Sequence, residues 1–253
     1  GAFGDGQSHT LASLGYTTLA AAQAKYPSAK ALTDEADWAA HQSAVDSIRG
    51  TGVGQGGIVF TPAGRYRFNR SLRFPWHHWG TSGSGAVSWI GEGSRASIIE
   101  LRNDFQETAK YYSLAGGDSG RTVNLGDPNG QFCVATMERV DPDFHTSLMD
   151  VLFCGLGFVG PGTWASSWPL GSTNGYTTKG VITTDRVKFR EIWISGFYAG
   201  LAVDGGQTVY RDVDINNCYY GIYFHWRNVF NHGDARFWNV NISNCKAACV
   251  GSD

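Results

Sequence analysis

Three segments near the end of the chain share one internal pattern, and this repeat restricts the possible folds more than any other feature. Residues 189–201, 210–222 and 237–249 each open on an aromatic residue (Phe189, Tyr210, Phe237). Alternating aliphatics follow, Ile192/Ile194, Val213/Ile215 and Val240/Ile242. A Gly or Asn comes next (Gly196, Asn217, Asn244), and then Phe197, Cys218 or Cys245. A weaker copy lies at 153–160, and the four copies begin 36, 21 and 27 residues apart. Unequal offsets around a constant core mean that one supersecondary unit recurs while its loops vary.

Alternation of apolar residues marks a strand with one buried face. A period of 21–27 residues is too short for a strand–helix–strand crossover and suits three short strands with turns. The predicted fold is therefore all-β: a right-handed parallel β-helix, whose coils stack about 4.8 Å apart. Asn217 and Asn244 are expected to stack in an amide ladder. A β-sandwich would not explain why Ile, Gly/Asn and Phe/Cys return at the same places in each copy.

Only one segment reads as a strong helix, 34–49. Asp34 is the expected N-cap, with Glu35 and Asp37 in the first turn. Trp38, Gln42, Val45 and Ile48 form a stripe at helical spacing, and Gly50 and Gly52 end it. A shorter helix is predicted around 18–24, closed by Tyr26-Pro27. The expected division is a capping segment, 1–54, followed by coils over 55–253. Nothing after the third copy caps the stack, so the β-helix is expected to continue past Asp253.

The net charge is −2 and the pI about 6.4, which argues against nucleic acid as a partner, since phosphate neutralisation needs a basic face. Aromatic residues make up 13 %, with nine Trp, a composition suited to stacking on sugar rings. No run of about 18 apolar residues exists to cross a membrane, and no signal peptide lies within the sequence. The five Cys lack metal spacing and read as buried free thiols.

Four ordered N-terminal motifs carry a family resemblance. Gly1-Ala2-Phe3-Gly4-Asp5-Gly6 is similar to the GAxGDG opening of pectate-lyase-superfamily β-helix proteins. Residues 34–45 resemble their DDTxAxQxAI helix. Residues 56–66 resemble their GGxVxxPxGxY strand, and Trp89 to Leu101 a further coil. The resemblance implies that the helix covers the open end of the β-helix, where an uncapped coil would expose backbone edges and core. The string 15–27 resembles phage tail-spike and depolymerase members. That likeness implies a virion-associated or extracellular protein, a polysaccharide partner and a homotrimer.

Aligning the copies places two outward rows: Glu191, Asp212 and Asn239, and Trp193, Asp214 and Asn241. Glu191, Asp212 and Asp214 are the candidate catalytic residues, because paired carboxylates about 5–5.5 Å or 6.5–9.5 Å apart serve retaining or inverting glycoside hydrolysis. Arg190 and Arg211 are placed to pair with them as ordinary ion pairs. The reaction reads as hydrolysis or β-elimination, against a non-enzymatic fibre or adhesin module. Trp193, Asn241 and His225 are candidate sugar contacts, together with Trp164, Trp168 and Tyr176 in a Gly-rich loop. Asp204 and His232, Asp234, and Trp76 to Trp79 are weaker candidates. No metal or other cofactor is indicated; calcium, used by some superfamily lyases, has no local carboxylate motif here.

Overall fold

The computed structural model describes residues 1–48, 56–74, 87–102, 131–135, 151–160, 162, 178–183, 187–203, 208–225 and 235–252. Two helices come first, α1 (Leu19–Gln23) and α2 (Ala36–Ile48). The strands of the first two coils are β1 (Gly57–Thr61), β2 (Gly64–Phe68), β3 (Leu72–Arg73), β4 (Val87–Gly91), β5 (Ser97–Leu101) and β6 (Gln131–Ala135). Then come β7 (Val151–Val159), β8 (Thr178–Thr183), β9 (Val187–Ser195) and β10 (Ala199–Val203). The last are β11 (Val209–Asn216), β12 (Tyr220–His225), β13 (Arg236–Ser243) and β14 (Ala247–Ser252).

Every ladder joining these strands is parallel and joins one coil to the next. One sheet runs β1-β4-β7-β9-β11-β13 and another β14-β12-β10-β8-β6-β3. A third row is fused to the first: β2 pairs with β5, and β5 with the second half of β7, while β4 pairs with its first half. So β7, β9, β11 and β13 are each two strands joined at a single bend. The residues at that bend, Gly155, Glu191, Asp212 and Asn239, all have left-handed backbone with φ of 50–66°. The protein is an all-β, right-handed parallel β-helix with an N-terminal capping helix, and crossovers between parallel strands take that hand almost without exception.

The register matches the sequence alignment residue for residue. Phe153, Phe189, Tyr210 and Phe237 fall in one column, as do Leu156, Ile192, Val213 and Val240. The aromatic column forms a ladder through the core. Successive rings are stacked, at 5.2 Å for Phe153–Phe189, 5.4 Å for Phe189–Tyr210 and 4.7 Å for Tyr210–Phe237. Trp89, fully buried, continues it one coil earlier.

Helix α2 seals the first coil. The Trp38 indole donates to the Ser71 carbonyl at 2.9 Å, and Trp38, His41, Gln42 and Val45 are buried against the coil. The Gly4–Gly6 segment lies beside β2, with Gly6 N–H on the Arg65 carbonyl and Arg65 N–H on the Gly4 carbonyl, both 2.8 Å. This occupies an edge that would otherwise be open. A side chain at Gly4, where φ is 68°, would strike the Tyr66 ring. Asp37 ties these parts together: its buried carboxylate accepts Phe3 N–H at 2.6 Å and Arg67 N–H at 2.9 Å. Burial pushes that carboxyl up from its ordinary value, and the amides of Phe3, Arg67 and Gly4 pull against the shift.

Three local expectations need correcting. The helix begins at Ala36, and the Asp34 carboxylate instead accepts from Lys30 and Ala31 N–H and from Arg70 Nε. Asn217 and Asn244 occupy equivalent turns, but both are exposed, and the Asn217 amide donates to Asn216 Oδ1. Their shared property is φ near 50°, which Asn tolerates better than most residues, so conformation and not an amide ladder accounts for them. Of the described cysteines only Cys218 is buried, while Cys154 and Cys245 are half-buried and Cys249 is exposed; all four are free thiols.

Candidate functional site

The outer face of the fused sheet carries the candidate residues in columns, each set by strand parity. Cys154, Arg190, Arg211 and Trp238 form one column. The bend residues Glu191, Asp212 and Asn239 come next, and Gly157, Trp193, Asp214 and Asn241 form the column beyond. The structure therefore brings the three carboxylates onto one open surface spanning adjacent coils. Glu191 and Asp214 side chains are each 52 % exposed and Asp212 36 %.

Each carboxylate has a cationic or amide neighbour. Arg190 Nε lies 3.7 Å from Glu191, and Arg211 Nε 3.3 Å from Asp212, the ion pairs expected from the sequence. Asn239 Nδ2 donates to Asp212 at 2.7 Å, and Asn241 Nδ2 to Asp214 at 3.4 Å. Asp212 is thus held from two sides. Asp214 is held loosely, with Arg95 Nη2 at 3.8 Å.

Arg95 was not visible as a participant in the sequence. It sits in the turn between β4 and β5, three coils before Asp214, and its guanidinium stacks on the Trp193 ring at 3.8 Å from the centroid. Gly157 makes the reach possible: a β-carbon there would come within 2.3 Å of the Ser94 carbonyl and 3.1 Å of Trp193. One face of the expected sugar platform is thus covered by an arginine, and a sugar stacking there must displace it. Among the described residues near the carboxylates, the aromatic that stands open is Trp238, 50 % exposed. Its signal was in the alignment, since it occupies the Arg190/Arg211 position of the third copy.

The remaining candidates fall elsewhere. His225 ends β12, in the other sheet, with its backbone paired to Ser252; its side chain is outside the described set. Trp164, Trp168, Tyr176, Asp204, His232, Asp234 and Trp76 to Trp79 lie outside the described residues. Among the described residues, no group of three or more His, Cys, Asp or Glu side chains is placed to hold a metal, and no helix is long and apolar enough to cross a membrane.

These features define a class: a parallel β-helix with a helical cap and an outward row of carboxylates flanked by arginine and tryptophan. No family model and no curated protein matches the chain. Among solved structures it is similar to the tailspike protein gp49 of Pseudomonas phage LKA1, with 22 % identity and a TM-score of 0.45 over all of this chain and 48 % of that one. It is also similar to the tailspike gp61 of Pseudomonas phage phi297, with 21 % identity and a TM-score of 0.48 at the same coverage. A third is ORF18 of Geobacillus virus E2, with 14 % identity and a TM-score of 0.48 over 79 % of this chain and 38 % of that one. The chain spans about half the length of the two tailspikes or less.

Proposed function

We propose that this chain belongs to a polysaccharide-binding and polysaccharide-degrading β-helix protein of the tail-spike type. It would be virion-associated, homotrimeric, and active as a glycoside hydrolase or lyase on a bacterial surface or extracellular glycan. One observation carries the reading: Glu191, Asp212 and Asp214 stand exposed together on adjacent coils, on the rigid outer face of a sheet. Two carboxylates so placed can divide acid and base work, or acid and nucleophile work, across a glycosidic bond. Asp214 and Glu191, held by no contact shorter than 3.4 Å among the described residues, are the two freer to meet substrate. Asn241 orients Asp214 and Trp193 supplies a sugar contact beside it, while His225, in the other sheet, would meet a separate stretch of the glycan, with Trp164, Trp168 and Tyr176 as further proposed contacts.

Glu191→Gln, Asp212→Asn and Asp214→Asn test the assignment in a depolymerisation assay that follows both reducing ends and absorbance of unsaturated uronic acid. Loss of activity in one or more variants, with unchanged thermal unfolding, is the expected outcome. Unsaturated product would identify a lyase, and reducing ends without it a hydrolase. Three variants as active as the parent would remove these residues from the mechanism.

A non-enzymatic glycan-binding module is the second reading. It is favoured by the Arg190–Glu191 and Arg211–Asp212 pairs and the Asn239–Asp212 hydrogen bond, which give two of the carboxylates ordinary structural partners. Binding of a glycan with no product under any condition would decide for it.

A further inference from the structure

We propose that the glycan taken by this surface is acidic, and that Arg190, Arg211, Arg236 and Trp238 hold it. The inference rests on the polysaccharide reading and adds the charge of the substrate. One column of the outer face changes character along the stack, running Phe60, Ile90, Cys154, Arg190, Arg211, Trp238. It is uncharged through three coils, basic through two, and then ends on an open indole. The next column brings in Arg236, two residues before Trp238 on β13 and therefore on the same face.

All four side chains are available. Arg190 and Arg211 are 56 % and 62 % exposed, Trp238 is 50 % exposed, and Arg236 is exposed with no ion pair among the described residues. The pairs to Glu191 and Asp212 both run through Nε, so the terminal N–H groups of each guanidinium, which have no partner among the described residues, can fork onto an anionic oxygen pair. The chain as a whole is net negative, −2, so three arginines on one face are a local segregation and not general basicity.

The spacing fits a sugar chain. Neighbouring coils rise about 4.8 Å, close to the length of one pyranose in an extended glycan, so successive arginines meet successive residues while Trp238 stacks on a ring face. A DNA duplex fits less well, because its stacked bases offer Trp238 no ring face and its backbone has no hydroxyl to donate to Glu191, Asp212 and Asp214, which border the strip. Sugar hydroxyls can donate to those carboxylates.

The test is affinity electrophoresis of the protein through gels containing alginate, dextran sulfate or neutral dextran. Retention by alginate or dextran sulfate above that by dextran, weakened by salt, is expected. Arg190→Gln/Arg211→Gln/Arg236→Gln should cut it on the order of ten-fold, from three exposed charge contacts, and Trp238→Ala should weaken it too. Arg65→Gln, at the far end of the stack, should not. If the triple variant fails to fold by thermal unfolding, Arg236→Gln alone, which breaks no ion pair among the described residues, must still lower retention.

Dextran bound as well as the acidic glycans, or retention untouched by the arginine variants, would overturn the acidic assignment while leaving polysaccharide binding standing. No retention on any of the three would overturn both. A DNA duplex bound as tightly as alginate would mean a general polyanion surface and would also overturn it.

Discussion

At the bend of each long strand one residue holds φ of 50–66°, and the four residues found there are Gly155, Glu191, Asp212 and Asn239. Left-handed backbone crowds a β-carbon against the following carbonyl and costs about 1–2 kcal/mol for an ordinary residue, less for Gly, Asn and Asp. The same position thus supplies two of the three candidate carboxylates, Glu191 and Asp212, and favours Gly, Asn and Asp. Conformation and catalysis predict different things of Asp212. Asp212→Asn should leave stability within about 0.5 kcal/mol, since Asn239 already serves at the equivalent bend, while abolishing any acid–base role. Asp212→Val should cost about 1–2 kcal/mol, measured by denaturant unfolding. Equal stability of the Val variant would show that the bend tolerates any residue. The outward rows were legible because strand parity alone dictates them. Arg95 was not, because its contact with Trp193 depends on a side chain reaching two coils along the stack over Gly157.

The helix that seals the first coil carries a buried histidine. His41 Nδ1 lies 2.8 Å from the Asp37 carbonyl, which can only accept, so Nδ1 bears the proton. Nε2 then accepts from Thr61 Oγ1 at 3.1 Å, and that hydroxyl in turn accepts from the Trp89 indole at 2.7 Å. The chain of donors has no place for a second proton, and the ring is packed edge-on against Tyr66, Phe68 and Trp89. Burial lowers the His41 pKa from 6.5 to about 4. An unfolded chain binds this proton below pH 6.5 and the folded one does not, so stability should fall as pH drops from 6.5 to 4 and level off below. That difference corresponds to about 3 kcal/mol. Denaturant titrations at pH 7, 5.5 and 4 should show this slope, reduced in His41→Gln; an unchanged slope in the variant would assign it to other groups. The sequence stripe identified Trp38, Gln42 and Val45 as the packing face. It did not mark His41, which lies on the same face but reads as polar until its two partners are brought to it.

Over the described residues, the strands of each coil pair only with those of its neighbours, the Arg95 contacts being the longer-range exception, so stability is expected to behave approximately as a sum of coil and interface contributions. The aromatic ladder from Phe153 to Phe237 runs through four coils, and Phe189 is in its interior, 1 % exposed and stacked on both sides. Phe189→Ala should cost about 3–5 kcal/mol. Phe237→Ala, on the last described coil, should cost less, a difference that calorimetry can measure. Equal losses would mean that the coils do not act as nearest-neighbour units. The repeat by itself determined the architecture, the register and the outward columns, because parallel coils must align equivalent residues and strand parity sorts the faces. The tertiary structure alone decided which of those outward groups are open. The Arg190–Glu191 and Arg211–Asp212 pairs join chain neighbours and were legible in the sequence, but Arg95 settling on Trp193, Asp214 being loosely held and Trp238 standing exposed depend on side-chain reach across coils, which no spacing in the chain encodes.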